Sequence, residues 1–122
     1  MKRLSKLLTT WMLLMSSPLY AGTVICSGKV EQLAYHADNS FMIKLDSMNV
    51  PVFFCSPEIE WAVVGTEYKT GPETCKLLYA SFLSAKSSGA ILKTIYFDGG
   101  DVPERCDGWG DWKRANIRYF NF

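Results

Sequence analysis

The segment TGPETCKLLYASFLSAKSSG, Thr70 to Gly89, reads as a helix from end to end. Thr70 with Glu73 three residues later is a capping box, and Pro72 falls in the first turn. Cys75, Leu78, Tyr79, Phe82 and Ala85 recur at the spacing of one helical face. Gly89 is a stop, because glycine takes the left-handed conformation that ends a helix without steric cost.

Around this helix the pattern is that of strands. Val24 to Tyr35 is β-rich, with Gly28 marking a bulge or bend. His36 to Asn39 is turn chemistry. Phe41, Ile43 and Leu45 then alternate with Met42, Lys44 and Asp46, which is period two. A turn over Asp46 to Asn49 leads to Val50 to Cys55, nearly all apolar and so a buried third strand. Ser56 to Lys69 is irregular, with Trp61, Val63 and Val64 expected to fold back over the core. Beyond the helix, Ile91 to Phe97 forms a fourth strand, broken by Asp98-Gly99-Gly100-Asp101. Val102 to Lys113 is a loop, and Ala115 to Phe120 a last strand with Ile117 and Tyr119 on one face.

The order is strand, strand, strand, helix, strand, strand. A helix between the third and fourth of five strands is the arrangement of an OB-fold, so the expected fold is a five-stranded Greek-key barrel, mainly β with one helix. An open α+β sheet with one helix on it fits the same order.

The whole chain has 122 residues, enough for one core. Met1 to Ala21 reads as a secretory signal peptide. Lys2, Arg3 and Lys6 form its basic start, Leu7 to Met15 its apolar stretch, and Ala21 a small residue before the cut. That stretch is too short to span about 30 Å of hydrocarbon. Residues 22–122 then form a single exported domain, secreted or periplasmic. Without the three basic residues of the leader, ten basic and twelve acidic residues remain, a net charge of −2. That disfavours nucleic acid and anionic membrane surfaces as partners, and no later apolar run reaches membrane length.

All four cysteines, Cys26, Cys55, Cys75 and Cys106, lie in the exported part. An even count in a small exported domain implies two disulfides. No two cysteines stand at the close spacing of zinc ligands, and His36 is the single histidine, so no metal is expected. Of three pairings, Cys55–Cys75 with Cys26–Cys106 is favoured. The first ties a strand end to the first turn of the helix, the second ties the first strand to the loop before the last.

Little in the chain resembles catalytic machinery. His36 falls in a turn, no serine sits in a nucleophile elbow, and Gly99-Gly100 opens no helix. No cofactor is expected. Asp98/Asp101 and Asp107/Asp111 are short acid pairs in turn-like sequence. The second pair leaves a small hydrolase as a minor reading.

Recognition chemistry concentrates in RCDGWGDWKR, Arg105 to Arg114. Indole faces stack on sugars or bases, and flanking carboxylates and guanidinium groups bond hydroxyls or anions. Trp109, between Gly108 and Gly110, is expected to contact a ligand, with Asp107, Arg105 and Asp111 supplying polar contacts. Trp112, beside the final strand, is expected to anchor the barrel end.

The hairpin KVEQLAYHADNSFMIKLDSMNVPVFFC (Lys29 to Cys55), the helix TCKLLYASFLSAKSSG and the strand AILKTIYF together resemble the receptor-binding B subunits of subtilase cytotoxin and related pentameric bacterial toxins. The resemblance runs from Lys29 to Phe97 and lies in layout and order. It implies an OB-fold, a ring of five subunits and binding of cell-surface glycans. It assigns no sugar-binding residue to this chain. The expected function is therefore a secreted, non-enzymatic binding subunit for cell-surface carbohydrate. An exported structural or inhibitory domain that binds protein is the alternative. Fifteen aromatic residues in the exported part, more than so small a core can bury, and open strand edges point toward an oligomer as well.

Overall fold

The computed structural model describes residues 22–122; the expected signal peptide, residues 1–21, lies outside the described residues. Among the described residues the chain forms β1 (Gly22–His36), β2 (Ser40–Leu45), β3 (Val52–Cys55), β4 (Trp61–Ala62) and β5 (Lys69–Thr70). The helix α1 (Pro72–Ser88) follows, then β6 (Ile91–Gly99) and β7 (Asn116–Asn121). Five strands make one antiparallel sheet in the order β3-β2-β1-β6-β7, and β4 and β5 form a separate small pair. The protein is thus mainly β with one helix, as expected.

The expected barrel is not closed. The edge strands β3 and β7 are not paired along their length. One isolated parallel bridge instead links Phe53 of β3 to Arg114, in the segment just before β7. There the Phe53 N–H donates to the Lys113 carbonyl at 2.9 Å, and the Ala115 N–H donates to the Phe53 carbonyl at 2.9 Å. Beyond that bridge the helix covers the gap. Phe82 of α1 packs edge-on against Phe54 of β3 and Phe120 of β7, with ring centroids 5.5 and 5.0 Å apart. Ile43, Leu45, Val52, Leu92, Ile95 and Phe97 complete a core that excludes water. Each such side chain contributes roughly 1.5–3 kcal/mol by leaving water.

Both disulfides are the favoured ones, Cys26–Cys106 and Cys55–Cys75. Each should stabilise the fold by about 2–4 kcal/mol. Gly28 lies at a bulge between β1 and β6, with φ +133°, and a Cβ there would run into the Asp46 carboxylate. Gly89 ends the helix in the left-handed conformation at φ +69°.

Other local expectations are corrected. The capping box does not form: Gly71 is the N-cap and no side chain caps the helix. The Thr70 hydroxyl instead donates to Asn116 Oδ1 at 2.8 Å in the interior, since a buried amide must be satisfied before an exposed helix end. The third strand begins at Val52, after Pro51. Trp61 does fold inward, its indole N–H donating to the Ala115 carbonyl at 2.9 Å, but Val64 points to solvent. Ile117 and Tyr119 lie on opposite faces, because a register shift between Tyr96 and Phe97 makes Arg118 the extra residue of a bulge.

Candidate functional site

The loop from Gly100 to Ala115 is anchored at three points. Cys106 is bonded to Cys26 of β1. Asn49 then clamps the backbone of Trp109: its Oδ1 accepts the Trp109 N–H at 2.9 Å and its Nδ2 donates to the Trp109 carbonyl at 2.7 Å. The Phe53–Arg114 bridge is the third anchor. Between the last two anchors, Gly110 to Lys113 stands out from the body with Trp112 in it.

These anchors decide where the tryptophans go. With its backbone held by Asn49, Trp109 is 4% exposed and packs edge-on against Phe97, centroids 5.4 Å apart. Trp112 is 66% exposed. This reverses the expected division: Trp109 belongs to the core, and Trp112 is the tryptophan presented to solvent. The flanking glycines of Trp109 suggested few packing neighbours, whereas the clamp supplies the contact from elsewhere in the chain.

Trp112 has φ +58°. A bulky residue held left-handed costs of order 1–3 kcal/mol and persists only where its surroundings impose it. Its ring meets His36 edge-on at 5.6 Å and lies tilted over Phe53 at 6.1 Å. It divides two clefts. One, of about 490 Å³, is formed by the β1–β2 hairpin (Gln32, Tyr35, His36) with Val50, Asp111 and Trp112. The other, of about 340 Å³, holds Asp38, Ser40, Ile59, Trp61 and Arg114 beside the same indole.

The polar groups on this face are arranged in pairs. His36 Nδ1 stands 3.0 Å from Asp38 Oδ1. Desolvation by burial is the largest single influence on the Asp38 carboxyl and raises its pKa, but hydrogen bonds from Ser40 and His36 and the charge on His36 together outweigh it and hold the pKa below the ordinary value. The Arg114 guanidinium lies 4.0 Å from the centre of the Trp61 ring. The face therefore offers an exposed indole, acceptors at Asp38 and Asp111, and a donor fork at Arg114. Such a set can hold a flat, partly apolar ligand that bears hydroxyls.

The four expected contact residues do not converge. Asp111 lines the larger Trp112 cleft. Arg105 and Asp107 bond each other at 3.0 and 3.2 Å near the Cys26–Cys106 bridge, along a separate cleft with Thr23 and Ile25. The Arg105 hydrogen bond and charge hold Asp107 below the usual carboxylate range. Asp107 and Asp111 thus line different clefts and do not face each other as an acid pair. Sequence reasoning missed Trp112, His36, Asp38 and Arg114 as one group. The turn signal at His36 to Asn39 was visible, but its proximity to the loop depends on the Phe53–Arg114 bridge. Among the described residues no helix is long and apolar enough to cross a membrane.

Comparison of the chain with protein-family models, with curated proteins and with solved structures finds no match.

Proposed function

We propose that this is an exported, non-enzymatic carbohydrate-binding domain with an OB-type architecture, its ligand seated on Trp112. The observation that carries this reading is the exposed indole, held left-handed between two polar-edged clefts. An aromatic face at that exposure stacks readily on the apolar side of a sugar ring. The architecture supports it. The helix falls between the third and fourth strands of the five-stranded sheet along the chain, and the bridge from Phe53 of β3 to Arg114, just before β7, lies near the two edges that an OB barrel joins. In that fold the hairpin between the first two strands and the loop between the last two frame the surface for oligosaccharides or oligonucleotides. Here His36 and Tyr35 come from the first, Asp111 and Trp112 from the second. The net charge of −2 after loss of the leader argues for sugar over nucleic acid. Two disulfides suit an oxidising compartment outside the cytosol, and a ring assembly would repeat the site for multivalent attachment.

A glycan array probed with the oxidised protein tests this. The expected result is binding to a set of glycans that Trp112→Ala weakens by about 1–3 kcal/mol, the range known for bases stacked on aromatic side chains. Trp112→Phe should retain part of it. Absence of glycan binding, or binding indifferent to Trp112→Ala, would overturn the reading.

A further inference from the structure

Asp98 is the one charged residue in the buried set among the described residues, at 3% exposure. It lies on β6, opposite Thr23 of β1 on one side and Asn116 of β7 on the other. The Thr23 hydroxyl donates to its Oδ1 at 2.7 Å. Its Oδ2 is different. Arg118 Nε stands 3.1 Å away, yet no hydrogen bond is aligned on that oxygen. The carboxylate is therefore neutralised in charge and incomplete in hydrogen bonding, a combination that is costly in an interior.

Asp98 is one of the residues lining a cavity of about 390 Å³ that also has Thr66, Glu67, Tyr68 and Arg118 in its lining. Arg118 reaches it because the β7 bulge turns its side chain over the sheet. The guanidinium lies 5.5 Å from the Tyr68 ring and 5.4 Å from the Tyr96 ring, and its side chain is 37% exposed. Tyr68 is 45% exposed, so its ring is partly accessible to a ligand.

What Asp98 Oδ2 lacks is a donor and not a countercharge. A cation would have to compete with Arg118 for the same carboxylate. A hydroxyl can add to the pair, reaching the covered oxygen after a small shift of the Arg118 side chain. A neighbouring hydroxyl can accept from the guanidinium, which keeps N–H groups beyond the one at Asp98. Tyr68 supplies an aromatic wall. We propose that this cavity is a second ligand subsite, which takes a neutral hydroxyl-bearing ring of hexose size. It stands apart from the Trp112 face, since Thr23 and His36 lie near opposite ends of the 15-residue β1.

The test is a chemical-shift titration of the isotope-labelled, oxidised protein with the methyl α-glycosides of glucose, galactose and mannose. Tetramethylammonium chloride and sodium sulfate serve as charged controls. At least one glycoside should produce saturable shifts at Thr23, Tyr68, Asp98 and Arg118. Tyr68→Ala and Arg118→Lys should each weaken those shifts about tenfold, while Trp112→Ala leaves them in place. Tyr68 is half exposed, so its truncation leaves the core intact. No shifts at these residues with any glycoside would overturn the proposal, whatever happens at Trp112. So would a response to the charged controls alone, or glycoside shifts that survive Tyr68→Ala unchanged.

Discussion

Trp109 is 4% exposed, and Trp112, three residues further on, is 66% exposed. The two share one loop, one residue type and similar neighbours, so local composition does not separate them. Long-range partners do. Asn49 holds both backbone polar groups of Trp109 and draws it onto Phe97. The Phe53–Arg114 bridge holds the chain just after Trp112 and leaves that residue projecting with positive φ. A side chain's fate in such a loop is set by where its backbone is fastened.

The largest expected effect is on Trp109. Trp109→Ala should lower stability by about 3–5 kcal/mol, because it empties a buried site beside Phe97. Thermal or denaturant unfolding reads this directly, and a variant that melts with the parent would show the ring is not core. Next comes the clamp. Asn49→Ala leaves the backbone N–H and carbonyl of Trp109 without their partner and should cost about 1–3 kcal/mol. If Asn49→Ala also brings Trp109 fluorescence toward that of an exposed indole, the clamp is what separates the two tryptophans. An unmoved spectrum would assign the burial to Phe97 alone.

Trp112 should respond differently. Trp112→Ala should change stability by no more than about 1 kcal/mol, since the ring is largely in water. Trp112→Gly should melt above Trp112→Ala, because glycine adopts φ +58° without the cost of about 1–2 kcal/mol that a Cβ carries there. Equal melting of the two variants would mean that the loop relaxes once the ring is gone.

This contrast also marks how far the sequence could be read. The helix was legible because period, Pro72 and Gly89 agree locally. The strands were legible because alternation and turn residues bound them. Both disulfides were legible because strand end, helix start and loop had already been placed. The closure of the sheet was not, since one parallel bridge at Phe53–Arg114 leaves no periodic trace. The capping box misled because Thr70 met a stronger demand at Asn116. Of the four expected contact residues, Asp111 lines the cleft beside Trp112, Arg105 and Asp107 line another, and Trp109 is in the core. The exposed tryptophan was misassigned, because a clamp from Asn49, 60 positions away along the chain, has no local signature.

The smallest expected effect concerns the acid beside Trp112. Asp38 is largely exposed, and its pKa is lowered by Ser40 and His36 acting together against the opposing effect of burial. A carboxyl with a lowered folded-state pKa binds fewer protons when folded than when unfolded. Its contribution is therefore complete above the unfolded value, near 3.8, and fades as pH falls through the lower folded value. Exposure and salt keep that contribution small. Asp38→Asn should thus melt slightly below the parent at neutral pH and converge with it below about pH 4. Trp109→Ala should stay far below the parent across the same range, because no titrating group underlies its loss. If Asp38→Asn tracks the parent at a constant offset into acid, the His36–Asp38 pair contributes through packing beside Trp112 and not through charge.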